Sequence, residues 1–276
     1  MSYPHIKPHL VGITFTRPEL RDKAEQLAGK LCLPPASADL DHDFILTCSN
    51  NGLELRYTKD PSLTGSCRVD FVGGQAGFRR RHGGSEMLVR AIGCKNNSPT
   101  YVLDATGGMG RDAFVMASHG CHVHIIERHP VIAALLEDGL QRATQQPDTK
   151  KIVERIMMTT GDSFHFLREK PEKQYDVIYL DPMFPARSKS SRVKKELQML
   201  QMLAGHGNDT KNLFTAALQA AGNRVVVKRP KAASSLPGLS PSYSLSSKKI
   251  RFDVYRLTEP GPKMKRTDRQ PVATPD

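Results

Sequence analysis

Tyr179 to Ser190 reads YLDPMFPARSKS, which joins an acid, two prolines and an aromatic ring directly to the end of an apolar run. Pro182 and Pro185 stop a strand there, since each lacks a backbone donor and has a fixed φ. The stiff turn that results sets Phe184 beside Asp181. A rigid ring next to a carboxylate makes a platform for a flat polar group: the ring stacks on its face and the carboxylate accepts from its amino edge. Three further acids stand at the ends of apolar runs upstream, Asp104 in LDATGGMGRDA, Glu127 in CHVHIIERH and Asp162 in TTGDSF. The glycines after Asp104 let backbone approach a ligand closely, and the helix that follows offers unpaired N–H groups. Glu127 is placed to take both hydroxyls of a ribose. Asp162, with Ser163 beside it, is placed to accept from an adenine amino group.

These residues need a scaffold that brings strand ends together. From Pro99 onward, apolar strand-like runs alternate with helical ones, which predicts an α/β fold with a parallel, doubly wound sheet. In such a sheet ligands bind at the carboxyl ends of the strands, where all four acids fall. The strands predicted are those ending at Asp104, Glu127 and Asp181, plus RIMMTTGDS, RVVVKRP and one or two within SKKIRFDVYRL. A helical pair, SRVKKELQMLQMLAG and TKNLFTAALQAAG, lies between the fourth and fifth strands. Residues 1–95 have a different texture, with short strands DFILTCS, LELRYT and CRVDFV and a hairpin signal at NNG. They read as a small N-terminal α+β appendage to a domain at 96–257. Residues 258–276, rich in Pro, Lys, Arg and Thr, read as a disordered basic tail.

The 276 residues carry a net charge of +12, which favours polyanionic partners. No apolar run approaches the ~18 residues needed to span a bilayer, and the start, MSYPHIKPHL, has no apolar signal region. Neither a membrane partner nor secretion is expected. The five cysteines form no CxxC pair and fit reduced, mostly buried thiols in a cytoplasmic protein. His122 and His124 share one strand face, but a strand covered by helices on both sides offers no room for the further ligands a metal needs, so no metal is expected.

The glycine loop fits two cofactor classes. Gly108, Gly110 and Ala113 satisfy the G-x-G-x-x-[GA] dinucleotide pattern. The spacing Asp104, Thr106, Gly108, Gly110 is similar to the acid-x-G-x-G-x-G signature of S-adenosylmethionine enzymes, with Thr106 at the first glycine. The loop alone does not choose between them. Asp181-Pro182-Met183-Phe184 resembles the (N/D)-P-P-(Y/F) motif of methyltransferases that act on exocyclic amino groups of bases, with Met183 at the second proline. In sequence order, VDFVGG, DATGGMGRDAF, ERHPVIAALLEDGL, DPMFP, KSSRVKKE and RVVVKRP together resemble the ribosomal RNA small subunit methyltransferase J family.

That resemblance implies a Rossmann-like class I methyltransferase sheet, S-adenosyl-L-methionine as cofactor, and a guanine N2 of small-subunit (16S) ribosomal RNA, naked or in an assembled subunit, as target. It implies cofactor contacts at Arg111 with Asp112, Glu127 with Arg128, Asp162 with Ser163, and Asp181; the loop itself adds Asp104 and Gly108. Asp181 and Phe184 are the candidate catalytic pair. His129 stands where the family usually has Asn. Phosphate contacts are expected from the arginines of FRRRHGG (Phe78–Gly84), from Lys189, Arg192, Lys194 and Lys195, and from Lys228 and Arg229 at the end of the fifth strand. The alternatives are an NAD-dependent oxidoreductase and a non-catalytic RNA-binding protein on the same fold.

Overall fold

A computed structural model describes residues 11–36, 41–60, 65–73, 86–94, 99–169, 173–182, 195–204, 210–234, 236 and 239–257. Phe184, the FRRRHGG arginines, Lys189, Arg192, Lys194 and the tail beyond Leu257 lie outside these residues.

The larger sheet has seven strands. In chain order they are β4 (Tyr101–Asp104), β5 (His122–Glu127), β6 (Ile156–Thr160), β7 (Val177–Leu180), β8 (Arg224–Pro230), β9 (Tyr243–Ser246) and β10 (Ile250–Arg256). Their spatial order is β6-β5-β4-β7-β8-β10-β9, with β4 to β8 parallel and β10 antiparallel to both neighbours. The chain runs outward from β4 to β6, then returns to β7 on the other side of β4. The carboxyl ends of β4 and β7 therefore flank the point where strand order reverses. The predicted α/β class holds. The second closing strand, Tyr243–Ser246, lies ahead of the segment in which it was expected.

Alternation along the strands assigns the two faces. Val102, Val123, Ile125, Val177, Tyr179, Val226, Phe252 and Val254 point to one core; Leu103, Ile126, Ile178, Leu180, Val225, Val227 and Tyr255 point to the other. The first face is covered by helices α2 (Glu86–Ile92), α3 (Arg111–Ser118) and α4 (Pro130–Thr144), with Met199, Leu200 and Leu203 of α7 (Lys195–Ala204) in the same core. On the second lie α6 (Ser163–Glu169) and α8 (Thr210–Ala220). Pro130 and Pro147 open α4 and the unpredicted α5 (Pro147–Val153), each where no donor is needed.

The N-terminal part forms a three-stranded sheet, β1 (Val11–Phe15), β2 (Phe44–Ser49) and β3 (Gly52–Tyr57), with α1 (Arg21–Leu31) crossing between the parallel pair β1 and β2. The NNG hairpin is present: Ser49 pairs with Gly52 across Asn50 and Asn51. The expected strand CRVDFV is not. Cys67 makes a single bridge to Leu55, and Asp70 Oδ1 then accepts from the N–H groups of Val72 and Gly73 at 3.0 and 2.9 Å, which bends the chain out of extension.

This small sheet sits on α4. Asp138, buried, accepts from Leu53 N on β3 (3.0 Å), Arg142 Nε (2.8 Å) and Lys23 Nζ on α1 (3.4 Å). Arg142 in turn donates to Val69 O. Gly139 faces the same seam, where a Cβ would stand 2.3 Å from Val69 Cγ1, so only glycine lets the two parts close.

Cys94 and Cys121 are joined as a disulfide with Cα atoms 6.5 Å apart. This corrects the expectation of five reduced thiols. The end of α2 and the start of β5 meet at the same edge of the core, a proximity that a separation of 27 residues conceals. Cys48 and Cys67 are buried free thiols, and Cys32 is exposed. Among the described residues no helix is long and apolar enough to cross a membrane.

Candidate active site

The reversal point between β4 and β7 gathers a partly buried cluster of charge. Asp104 ends β4 almost wholly buried, and its Oδ1 accepts from Thr106 N at 3.1 Å. Burial raises its pKa to about 7; the Thr106 bond opposes the rise, and the nearby Asp112 and Asp181 charges add to it. Asp181 follows β7, and its N–H donates to Thr106 Oγ1 at 2.7 Å. Thr106, at the first glycine position of the loop signature, thus ties the two strand ends together.

Asp112, in the first turn of α3, accepts at Oδ2 from Tyr179 OH (2.7 Å) and from Lys228 Nζ (2.6 Å). The same ammonium donates to Asp181 Oδ2 at 2.8 Å. Burial works against charge on Lys228, but Asp181 and Asp112 outweigh it and hold its pKa above the ordinary lysine range. Burial, reinforced by Asp112 and Asp181, likewise holds Tyr179 protonated.

Lys228 and Arg229 were expected on a phosphate-binding rim. Arg229 is buried instead, at 6% exposure, and Lys228 is half-buried, with its side chain 20% exposed and turned inward. The register Leu180↔Val227, carried one step further, brings Lys228 beside Asp181, on the Val226 face beneath α3.

The glycine loop closes toward β5. Gly107 N donates to Ile126 O (3.0 Å), and Gly108 N donates to Glu127 Oε2 at 2.6 Å. His129 N donates to the other oxygen, Oε1, at 2.8 Å. Each oxygen of Glu127 so holds one backbone N–H, and the buried side chain is fixed facing the loop. Burial raises its pKa, while the His129 and Gly108 bonds pull it back. Gly110 adopts φ 66°, and a Cβ there would lie 2.6 Å from Leu136 Cδ1. At Gly108, φ 52°, a Cβ would meet nothing closer than Thr106 O at 3.8 Å, so its surroundings are less crowded than those of Gly110.

The remaining predicted contacts have visible partners. Arg111 pairs with Glu196 of α7 at 2.5 Å, and Cys67 Sγ donates to the second Glu196 oxygen at 3.6 Å. Arg128 is exposed beside Glu127. Asp162 caps α6 through His165 N (3.0 Å), and Ser163 Oγ donates to Ala105 O at 2.7 Å, which ties α6 to the end of β4. His129 is largely buried, and its pKa falls to about 4, through burial and then the Arg128 charge.

His124 spends both ring nitrogens on Tyr175 OH (2.6 Å) and Thr159 Oγ1 (2.8 Å). No group of three or more His, Cys, Asp or Glu able to hold a metal occurs among the described residues. The bridging Lys228, the Thr106 tie and the Glu196–Arg111 pair had no separate signal in the sequence. Their partners lie 47 to 116 positions away.

Three carboxylates around one ammonium leave this cleft with surplus negative charge, suited to a cationic ligand, and Glu127 faces the same loop. A ligand carrying a ribose at one end and cationic groups at the other fits that donor set. Comparison with known proteins agrees. A family model described as SAM-dependent methyltransferase matches residues 27–257. The ribosomal RNA small subunit methyltransferase J of Thioalkalivibrio sulfidiphilus is 44% identical over 248 residues, 89% of this chain and 97% of that protein. Its namesake from Dechloromonas aromatica is 46% identical over 240 residues, 86% and 96% of the two chains. A SAM-dependent methyltransferase from Neisseria gonorrhoeae, known from its crystal structure, superimposes with a TM-score of 0.69 at 33% identity over 89% of this chain and 95% of that one. The chain belongs to the ribosomal RNA small subunit methyltransferase J family of S-adenosylmethionine-dependent methyltransferases.

Proposed function

We propose that this enzyme methylates the exocyclic N2 of a guanine in small-subunit ribosomal RNA. The observation that carries the reading is the meeting of Asp181, Asp104 and Asp112 at the strand-order reversal, one strand from Glu127, with Pro182 and Phe184 next in sequence. The RNA class is that in the names of the relatives, and the guanine comes from the family resemblance. The net charge of +12 favours such a partner. The family membership sets aside the oxidoreductase alternative.

In this reading Glu127 binds the ribose hydroxyls of the cofactor. Gly108 provides close backbone approach, and Asp104 faces the cationic amino-acid end. Arg111, Asp112, Arg128, Asp162 and Ser163 complete or brace that pocket, with Ser163 acting through its bond to Ala105 O. Bound there, S-adenosylmethionine supplies a methyl group already activated by its sulfonium. The chain's own work is then positioning. Asp181 accepts a hydrogen bond from the guanine amino group, turns the nitrogen lone pair out of conjugation, and stabilises the positive charge that develops on nitrogen. Phe184 stacks on the extruded base and fixes its plane.

Single-turnover methylation at saturating RNA and cofactor tests this assignment. Asp181→Ala should slow the step by more than about tenfold (over ~1.4 kcal/mol) with the fold intact by circular dichroism. A rate within about threefold of wild type, under ~0.7 kcal/mol, would remove the carboxylate from the step.

A further inference from the structure

The geometry points to a role for Lys228 that no sequence motif assigns: we propose that it is the positioning residue that keeps the Asp181 carboxylate ionised and aimed, and couples it to the cofactor helix through Asp112. The inference rests on the reading of Asp181 as acceptor of the amino group. Lys228 Nζ lies 2.8 Å from Asp181 Oδ2 and 2.6 Å from Asp112 Oδ2, so one ammonium spans the substrate strand and the first turn of α3. Neither carboxylate can swing alone. Tyr179 OH holds Asp112 at 2.7 Å, and Thr106 Oγ1 holds the Asp181 backbone at 2.7 Å.

The charged groups around this ammonium are Asp112 from α3 and Asp181 after β7, which it bonds, and Asp104 from β4; Tyr179 of β7 reaches the cluster through Asp112. Across the antiparallel neighbour β10 its partner is the apolar Phe252. Two acids therefore bind one half-buried cation, and a third, Asp104, lies within reach of its charge. Without it, three like charges in a cleft only partly open to solvent repel one another, which favours uptake of a proton by the cluster. Asp104, raised to about 7 mainly by burial and next by Asp112 and Asp181, is held down in part by the Lys228 charge, a restraint that loss of the ammonium removes. A protonated or misdirected Asp181 cannot hold an amino group by accepting from it.

The test compares wild type with Lys228→Met, Lys228→Arg and Asp181→Ala. Single-turnover rates with small-subunit RNA are read from pH 5.5 to 9, beside S-adenosylhomocysteine affinity and thermal unfolding at each pH. The Met variant should lose more than about tenfold in rate at pH 6.5 and recover part of it as pH rises, its acid limb shifted up by about one unit. Its unfolding midpoint should fall more steeply than wild type between pH 6 and 8. Carboxylates whose folded pKa is raised lose their stabilising contribution as pH climbs through that value. Lys228→Arg should restore the limb toward wild type. Should the Met variant not fold, Lys228→Gln carries the same comparison.

A wild-type acid limb in the Met variant, or a rate loss equal at every pH, overturns the inference. If Asp181→Ala itself keeps a rate within about threefold of wild type, the acceptor reading of Asp181 fails instead.

Discussion

Glu127→Ala removes a buried carboxylate that already holds Gly108 N at 2.6 Å and His129 N at 2.8 Å. Each oxygen has a second lone pair, so the same side chain can also accept from two ribose hydroxyls. A hydrogen bond to a charged acceptor contributes about 1.5–3 kcal/mol, and losing the pair should cost about 3 kcal/mol, some hundredfold in affinity for S-adenosylhomocysteine. The substitution also releases two loop N–H groups, so a loss of affinity alone does not show what the carboxylate touches. A double-mutant cycle does: calorimetry with S-adenosylhomocysteine and its 2′,3′-dideoxy analogue, on wild type and Glu127→Ala. Wild type should prefer the hydroxylated ligand by about 2–3 kcal/mol, and the variant by less than ~0.7 kcal/mol. If both proteins discriminate equally, Glu127 only braces the glycine loop and the ribose assignment is wrong.

Asp138→Ala strands the buried Leu53 N–H and unpairs Arg142, so urea unfolding should show a loss of about 3–5 kcal/mol. Asp138→Asn, which keeps one acceptor oxygen, should lose less, and equal losses would argue against this seam. His129 has a folded pKa of about 4 against an ordinary ~6.5, so on acidification the unfolded chain takes up a proton that the folded one refuses. That stability is full above pH ~6.5 and drains as pH falls toward 4. His129→Asn should therefore lose about 2 kcal/mol less than wild type between pH 7.5 and 5. Asp104, with a pKa of about 7, should lose its proton when the α-ammonium of the ligand's amino-acid end arrives. S-adenosylhomocysteine affinity should rise with pH up to about 7 and then level off, and Asp104→Asn should flatten the profile.

The sheet was legible because its strands are short apolar runs closed by turn residues and separated by helical spacing. Period-two alternation also sorts their faces, as Val225, Val226 and Val227 do on β8. What alternation does not carry is which strands are neighbours. RVVVKRP looked like a basic strand end facing solvent, yet β8 lies beside β7, and Lys228 turns inward to Asp181. CRVDFV had the composition of a strand, but the Asp70 side chain captures two backbone donors and turns the chain instead. The strand Val11–Phe15 and the helix Arg21–Leu31 carry a weaker local signal than the hairpin within the appendage. The placement of Asp104, Glu127 and Asp181 at one end of the sheet was legible because each closes an apolar run, at the end where α/β sheets bind ligands. Glu196 was not, since its partner Arg111 is 85 positions away and nothing local marks the pair.

The central claim is a methyl group on guanine N2 of small-subunit RNA, and nucleoside mass spectrometry reads it directly. Small-subunit RNA from cells lacking this protein, incubated with the purified enzyme and methyl-labelled S-adenosylmethionine, is digested and separated into nucleosides. Labelled N2-methylguanosine is expected, formed more than about tenfold more slowly when Asp181→Ala replaces the wild type. Label in N6-methyladenosine, or no label in RNA at all, would contradict it.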